Sequence, residues 1–528
     1  MFIKGNQAME NTLNIFNTFK KSSKEEEVNK NLNFGRSNEQ YTEKINSHFL
    51  KNQRKHTTIL ASGLTIAHDL FFTSTLEGLN YKVKALDCPD NEALQLGKEF
   101  GNRGQCNPTY FTVGNLIKYL IFLRDQKGMS KDAIIKNYVF VTAGACGPCR
   151  FGMYVTEYRK ALRDSGFSGF RVILLSQTAG INQEVGEGYG LEVNGKFFFN
   201  VIRSLVLGDI LNALMYRIRP YEKKQGETNK KIEQCKAIIM EALKKNKSII
   251  MAALKCRKIL SRILVDRSII KPKVSIIGEF WAMTTEGDGN YKMQSFLESE
   301  GAEVDIQLLT SWLFYTIWEL RHDTIKRRSL KKDDQGERGL YGVKVQKKLF
   351  LLFLAKKSLL FLFKFYAFLF GLKKYHFVDM DHLAQIGNKY YDNELRGGEG
   401  HMEVAKLIEN VAKKKTTMTL SIKPFGCMPS SSVSDGIQSL IMEHFPDANY
   451  LPVETTGDGA VNVYGRVQMQ LFKAKQSACD EVERILSDKM ISMESFKKEA
   501  NKKKYSKALY QASHFGTTSS SDFAAELI

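Results

Sequence analysis

The sequence is poor in cysteine and has no apolar leader. Eight cysteines in 528 residues are too few for a secreted, disulfide-stapled domain, so we expect a reducing cytosol, where clustered thiols hold metals or do redox work. The first five residues, MFIKG, lead into polar sequence with no apolar stretch of signal-peptide length, which predicts no secretion signal. Hydrophobic residues at 43% and charged residues at 25% exclude a wholly disordered or collagen-like chain. We therefore expect a globular cytoplasmic protein with room for about three domains.

Acidic residues are outnumbered by basic ones. Lys and Arg total 77 against 57 Asp and Glu, a formal net charge of +20. This excess favours anionic partners such as nucleic acid, phosphorylated ligands, a lipid surface or an acidic protein. Basic helices predicted at 221–271 and 466–510 come without a nucleic-acid recognition module, so we expect no nucleic-acid partner.

One segment, 349–372, consists almost entirely of Leu, Phe and Ala, and lysines interrupt and flank it. Lys357 and Lys364 are seven residues apart and share one face of a helix, with Lys356 about 100° away. Each central lysine costs about 2.5–3.5 kcal/mol on insertion, which makes a membrane span the least favoured interpretation. The pattern predicts a helix packed on the protein's own core or on a dimer partner. Attachment to the surface of an anionic membrane is the alternative.

Four strand–helix–strand units follow one another along the chain. In each unit a short strand leads through a loop into a helix and then into a second strand. The units begin with strands predicted at 57–61, 138–141, 273–278 and 417–422. Units of this kind build parallel sheets covered by helices. We therefore expect an α/β fold with two or more doubly wound parallel-sheet lobes and added basic helices.

The composition along the chain predicts five parts. They are a polar N-terminal extension at 1–54, an α/β lobe at 55–220, a helical connector at 221–272, a second α/β lobe at 273–460 with the apolar helix 349–372, and a basic helix with a disordered tail at 461–528.

Five cysteines lie beside glycine or proline in predicted loops: Cys88, Cys106, Cys146, Cys149 and Cys427. The Cys146/Cys149 pair and Cys427 each follow a strand and precede a helix, at the edge of an open α/β sheet where ligands bind. A helix N-terminus stabilises thiolates and anionic clusters. The spacing matches no sequential ferredoxin pattern. An iron–sulfur cluster, a structural zinc, a redox dithiol and buried cysteines without a role all stay open on the residues alone.

Other patterns indicate less. Cys235, Cys256 and Cys479 sit in basic helical surroundings and are expected to be packed or surface thiols. The glycine-rich stretches 186–190 and 397–400 lack the G-x-G-x-x-G spacing, and no phosphate-binding loop of the G-x-x-x-x-G-K-[ST] type occurs. His401, close to Glu399 in the sequence, is expected in a surface loop, and an acid–base pair of these two residues is the alternative.

Three motifs resemble signatures of the proteins related to the activator of 2-hydroxyacyl-CoA (2-hydroxyglutaryl-CoA) dehydratase, the CoA enzyme activase-related group. They are GQCNPTYFTVGN at 104–115, TAGACGPCRFGMY at 142–154 and KPFGCMP at 423–429. The similarity runs from about His56 to Lys475 and leaves out both ends and the Phe-rich helix.

The resemblance implies a two-lobed α/β fold like that of the dehydratase subunits, in which cysteines hold a 4Fe-4S or larger iron–sulfur cluster between the lobes. Carried over by position, the metal ligands would be Cys106, Cys149 and Cys427 first, then Cys146, and Cys88 last. The cluster would also be approached by Gly144, Gly147 and Gly426, whose backbone N–H groups would tune it, and by Arg150, which would offset its charge or meet an anionic ligand.

In that family an ATP-hydrolysing activator with an actin-like fold passes a low-potential electron to a dehydratase or reductase component. This chain lacks the actin-like D-x-G-x-[TS] phosphate loop, so ATP is expected on a partner. The expected function is low-potential electron transfer to a CoA-thioester dehydratase or reductase system. The alternatives are a zinc-holding scaffold that docks a partner or membrane, and a self-contained acyl-CoA dehydratase or reductase. A homodimer is possible, and no catalytic residue is assigned.

Overall fold

The computed structural model describes residues 49–144, 149–176, 190–329, 340, 343–395 and 400–527. The polar extension expected at 1–54 therefore lies almost wholly outside the described residues. The described part belongs to one compact unit, Ser47–Ile528.

Eight strands of the described residues form two four-stranded sheets, and each neighbouring pair within them is parallel. The strands are β1 Thr58–Ala61, β2 Lys82–Ala85, β3 Tyr138–Gly144, β4 Arg171–Ser176, β5 Lys273–Gly278, β6 Glu303–Ile306, β7 Met418–Pro424 and β8 Tyr450–Thr455. The two strands of each predicted unit are neighbours in a sheet, so the expected α/β fold and its four units are confirmed.

Helices cover the sheets and connect them. Those described are α1 Ile66–Gly78, α2 Asn91–Phe100, α3 Asn107–Asp125, α4 Lys131–Asn137, α5 Tyr154–Asp164, α6 Gly195–Ile218, α7 Glu227–Lys244, α8 Ile249–Leu260, α9 Phe280–Thr284, α10 Met293–Ser299, α11 Leu309–Lys326, α12 Val345–Phe370, α13 Met380–Gly387, α14 Gly400–Ala412, α15 Met428–Val433, α16 Ser439–His444, α17 Ala460–Asp488, α18 Met493–Ala500 and α19 Ser519–Glu526.

Both sheets have the same strand order. The first runs β2-β1-β3-β4 and the second β6-β5-β7-β8. In each sheet the chain moves outward from the first strand to the second and then returns to the other side of the first. Such a reversal opens a crevice at the carboxyl ends of the first and third strands, where ligands of open α/β sheets bind. The described ends of the loops after β3 and β7, Cys149 and 425–427, follow equivalent strands of the two sheets.

The largest hydrophobic core joins the second sheet to the long helices α6, α8 and α12. All seven residues of β7 are buried, as expected for a central parallel strand with both faces covered. The segment Gly195–Tyr221 is, among the described residues, the one long and apolar enough to cross a membrane, but 56% of its most apolar window is buried. That burial is typical of a core helix in a soluble protein.

Two glycines let α2 and α3 pack with their backbones in contact. A Cβ on Gly114 would lie 1.7 Å from the carbonyl oxygen of Ala93, and a Cβ on Gly97 would lie 1.9 Å from that of Tyr110. No larger residue fits between these helices. Because α3 begins at the Cys106 loop, this contact helps to fix the position of that loop.

The C-terminal segment is ordered and packed, so the disordered tail expected at the end of the chain is wrong. Helix α19 buries Phe523 and Ala524, and the ring of Phe523 lies 5.5 Å from that of Phe496. Thr518 caps the helix by accepting a hydrogen bond from Ser521 N. The hydroxyls of Ser519 and Ser520 donate to the carboxylate of Glu303 and the carbonyl oxygen of Ile269, within the fold.

A buried arginine ties this end of the chain to the connector between the sheets. The guanidinium of Arg267 donates hydrogen bonds to the carbonyl oxygens of Tyr505, Lys507, Ala508 and Tyr510. Leu264 and Lys507 form an antiparallel bridge nearby. The connector and the C-terminal segment thus pack as one layer.

The apolar helix expected at 349–372 is present as α12. It ends where Gly371 adopts a left-handed backbone, with φ of 88°. Its inner face, which includes Phe363 and Phe370, is buried in the main core. Packing on the protein's own core, the favoured expectation, is confirmed for that face.

Candidate cysteine site

Three cysteine loops meet around one glycine, Gly426. Its backbone is left-handed, with φ of +76°, and a Cβ placed on it would lie 3.2 Å from the Cα of Cys106. Its carbonyl oxygen accepts a hydrogen bond of 3.1 Å from Nε of Arg150, the neighbour of Cys149. Since Gly426 directly precedes Cys427, the loop after β7 contacts both loops of the first sheet. Only glycine combines this backbone conformation with this close approach.

Asn107 fastens the start of α3 to the second sheet. Its backbone N–H donates to the carbonyl oxygen of Phe425 at 3.0 Å, and its side-chain Nδ2 donates to the carbonyl oxygen of Thr455 at 2.7 Å. The side chain is buried, which strengthens these bonds relative to exposed ones. The Cys106 loop is therefore held by the carboxyl ends of both β7 and β8.

Cys106 is the N-cap residue of α3 and is buried. Its Sγ lies 3.1 Å from Oγ1 of Thr109 and 3.2 Å from the hydroxyl of Tyr154. Burial, with the nearby charges of Cys106 and Glu279, raises the pKa of Tyr154 well above its ordinary value. Tyr154 therefore stays protonated and able to donate to sulfur.

Glu157 holds the loop that leads into Cys106. Its carboxylate accepts hydrogen bonds from Asn102 N at 3.1 Å, from Asn102 Nδ2 at 2.7 Å and from Gln105 Nε2 at 3.1 Å. Glu157 is buried on α5, the helix that follows the Cys149 loop. This residue was not predicted from the sequence. The sequence feature that could have indicated it is its spacing, since Glu157 follows Tyr154 by three residues and lies on the same face of the helix.

The loop after β3 is described only in part. Cys149 is partly exposed and precedes the short 3-10 turn Arg150–Met153. Gly144 is buried at the end of β3. A Cβ placed on it would lie 2.9 Å from the side chain of Leu174. Cys146 and Gly147 lie outside the described residues.

Cys427 is buried at the end of the loop after β7. Its backbone N–H donates to the carbonyl oxygen of Pro424 at 3.1 Å, and its own carbonyl oxygen accepts from Ser431 N at 3.1 Å. These two bonds form the tight turn from β7 into α15. The turn fixes the backbone of Cys427 next to Gly426.

Cys88 lies elsewhere. Its Sγ is 3.8 Å from Oγ1 of Thr285, and burial raises the pKa of its thiol to about 11. The carbonyl oxygen of Asp87, the residue before Cys88, accepts a hydrogen bond from the side chain of Asn115. Asn115 lies eight residues after Asn107 on α3, a distance of about 12 Å along the helix axis. The structure therefore brings together the loops of Cys106, Cys149 and Cys427 but not Cys88.

The meeting point of the Cys106, Cys149 and Cys427 loops around Gly426 is called here the junction. Its cysteine sulfurs are suitable ligands for a soft metal, but they are not arranged as a ligand group. Within the described residues, which omit Cys146, no three His, Cys, Asp or Glu side chains lie close enough together to hold a metal ion. The thiol of Cys106 is instead bonded to two hydroxyls. Thiols are the donors that iron–sulfur clusters and zinc prefer, and here three loops supply them.

The fold and the junction define an α/β protein with two parallel sheets and cysteine loops that meet at their carboxyl edges. No protein-family model matches the chain, and no curated protein matches it.

Proposed function

We propose that this chain is an iron–sulfur protein that takes part in low-potential electron transfer in a CoA-thioester dehydratase or reductase system. The observation that supports this most is the meeting of the Cys106, Cys149 and Cys427 loops around Gly426. Loops from two sheets come together there at the edge where open α/β proteins bind ligands. The three motifs that resemble the dehydratase activator-related group lie on the same loops.

In this proposal the ligands are Cys106, Cys149 and Cys427, and Cys146 is the candidate for a fourth. Cys88 is left out because its contacts are with Thr285. A bound 4Fe-4S or larger cluster supplies a centre that accepts and releases one electron at low potential. Cys106 would hold iron through its Sγ, while the hydroxyls of Thr109 and Tyr154 would donate to the same sulfur.

The chain's own residues then set the properties of that centre. The protonated hydroxyl of Tyr154 and that of Thr109 are placed to donate hydrogen bonds to sulfur, which raises a reduction potential. The guanidinium of Arg150 lies in the same junction and offsets the negative charge of thiolates.

The resemblance supplies the remaining parts of the proposal. The fold would be that of the dehydratase subunits, and the protein would work in the cytoplasm. ATP would be bound by a separate activator, because the sequence carries neither type of phosphate loop. The net charge of +20 suits a CoA phosphate group or an acidic redox partner.

Anaerobic purification tests the proposal. Visible absorption is recorded while iron, zinc and acid-labile sulfide are measured per chain. Iron and sulfide in matching amounts, with a broad band that bleaches on reduction, are expected. A colourless protein that carries zinc, or one that takes up no cluster on reconstitution, contradicts the redox function and leaves the fold unaffected.

A pair of cysteine variants tests the ligand assignment. Cys149→Ser should lose the cluster, whereas Cys479→Ser, which changes a partly exposed cysteine on α17, should keep it. Full iron content in Cys149→Ser would show that the assignment is wrong. Titration of the unmodified chain with an acyl-CoA thioester then separates the electron carrier from a self-contained dehydratase, because only the latter requires a saturable site on this chain alone.

A further inference from the structure

Helix α12 exposes an apolar stripe on the side opposite its buried face. The stripe, called here the outer face, consists of Phe350, Leu354, Phe361, Phe365 and Phe368, whose exposed fractions range from 36% to 70%. At 100° per residue these five positions fall within an arc of about 60°, and they extend over about 27 Å of helix. Scattered exposed apolar residues are ordinary, but a continuous stripe marks an interaction site.

Basic residues flank the outer face without acidic neighbours. Helix α12 contains no Asp or Glu. Among the described residues no carboxylate pairs with Lys347, Lys357 or Lys364, all three of which are exposed. Lys356, on the other side of the helix, differs because it forms an ion pair with Asp379 at 3.0 Å. The positive charge beside the stripe is therefore uncompensated within the described part of the chain.

The apolar surface continues onto the neighbouring helix α8. The guanidinium of Arg257 lies over the ring of Phe368, 5.9 Å from its centre. Leu254 and Ile250, three and seven residues before Arg257 and thus on the same side of α8, are 41% and 44% exposed. Two packed helices thus present one surface of aromatic, aliphatic and basic side chains.

We propose that the outer face of α12 lies on the surface of an anionic phospholipid bilayer. The Phe and Leu side chains would enter the boundary between headgroups and acyl chains, and the lysines would meet lipid phosphates. The buried inner face of α12, packed in the core of the protein, limits the depth of insertion and prevents a span. This proposal goes beyond the electron-transfer function and does not depend on it.

The charges argue against a second copy of the chain as the occupant. A two-fold dimer places the same surface against itself. Lys357 and Lys364 of one copy would then face the same lysines of the other, with no acidic residue on α12 to pair with them. Apposed like charges of this kind are destabilising, whereas a negatively charged lipid surface compensates them.

Vesicle flotation tests the proposal with the full-length protein. Vesicles of phosphatidylcholine alone are compared with an equal mixture of phosphatidylcholine and phosphatidylglycerol. We expect the chain to float with the mixed vesicles and not with the neutral ones, and the bound fraction to fall as salt rises, because salt screens exposed charges. Equal binding to both vesicles, or to neither, overturns the proposal.

Two variants locate the contact. Phe361→Ser should weaken binding to the mixed vesicles by about tenfold or more, because one aromatic ring no longer leaves water. The matched control is Phe472→Ser, which changes a phenylalanine 72% exposed on α17 and should leave vesicle binding unchanged. Because both rings are exposed, both variants should fold, and the thermal midpoint of each verifies this.

The double variant Lys357→Gln, Lys364→Gln should weaken binding by about 30-fold, from the usual contribution of two basic residues at an anionic surface. Light scattering of the same proteins without vesicles gives their molar mass. If Phe361→Ser converts a dimer into a monomer while vesicle binding stays unchanged, the outer face belongs to a second copy and the lipid proposal is wrong.

Discussion

Arg150 and Gly426 are 276 residues apart in the chain, yet Nε of Arg150 donates a hydrogen bond of 3.1 Å to the carbonyl oxygen of Gly426. This bond connects the loop after the third strand of one sheet with the loop after the third strand of the other. It therefore ties together the two loops that carry Cys149 and Cys427.

Arg150→Met keeps the aliphatic stem and removes the donor. We expect the free energy of unfolding to fall by about 1–2 kcal/mol, because a partly buried carbonyl loses a charged partner. Arg163→Met, at a guanidinium that is mostly exposed on α5, is the control and should change stability by less than about 0.5 kcal/mol. Urea unfolding measures both, and equal effects would show that the bond between the loops contributes nothing.

Glu157→Gln tests how the Cys106 loop is held. The NH2 group of glutamine replaces one carboxylate oxygen and cannot accept the N–H hydrogen bonds that this oxygen accepts. We therefore expect a loss of about 1–3 kcal/mol in the free energy of unfolding. The released loop should also expose Cys106 to alkylation, which mass spectrometry follows. Cys235, buried in α7, is the internal control. An unchanged rate for Cys106 would show that Glu157 does not fix the loop.

Gly114→Ala should separate α2 from α3. The added Cβ would overlap the carbonyl oxygen of Ala93, and overpacking of this kind costs about 1–3 kcal/mol. Gly465→Ala is the matched control on α17, where a Cβ meets no atom within 4 Å. It should stabilise the protein by about 0.5–1 kcal/mol, because glycine is a poor helix former. Thermal unfolding distinguishes the opposite signs, and the same sign for both variants would contradict the packing argument.

Phe523→Ala should destabilise the protein by about 3–5 kcal/mol, as expected for a fully buried phenylalanine. Phe515→Ala, eight residues earlier, changes a side chain that is 69% exposed and should have little effect. Denaturant midpoints of the two variants give the comparison. Similar midpoints would mean that α19 does not contribute to the core.

His401 predicts a loss of stability in mild acid. It is 2% exposed, its ring lies 4.8 Å from that of Tyr315, and burial lowers its pKa to about 4. An unfolded histidine has a pKa of about 6.5, so below that pH the unfolded chain binds a proton that the folded chain refuses. The free energy of unfolding is therefore not reduced by this group above about pH 6.5, and it falls as the pH drops from there towards 4.

Urea unfolding at pH 7.5 and pH 5 measures this effect. Wild-type protein should lose about 2 kcal/mol more than His401→Phe between these two values. The exposed His376 provides the control, since His376→Phe should follow the wild-type pH dependence. The same pH dependence in His401→Phe would exclude His401 as its source.

The strands were predictable because each is a short run of apolar or alternating residues between turn signals, and the two strands of each unit follow one another in the chain. Helix α6 was not predicted, because it is apolar on most of its circumference and has no clear amphipathic period. His401 was expected in a surface loop from its glycine-rich neighbours, but it is buried in α14. Burial of that kind comes from tertiary packing, which local composition does not reveal.

The cysteine loops were predicted from their position after strands and from glycine and proline beside the sulfurs. The contacts that bring them together were not, because partners such as Asn107 and Thr455 are 348 residues apart. The contacts of Glu157 and Tyr154 with the Cys106 loop depend on how α5 packs against the start of α3. Periodicity predicts the buried face of a helix but not which loop that face contacts.

The bonds from Arg267 to Tyr505–Tyr510 also affect how the chain folds as it is made. Synthesis proceeds from the N-terminus, and domains begin to fold as they emerge from the ribosome. The connector around Arg267 appears about 240 residues before the carbonyl groups that satisfy it. Ile270, which packs against the cluster of Phe496 and Phe523, stays uncovered for a similar interval. We therefore expect the nascent chain to need chaperone protection until its last helix has docked.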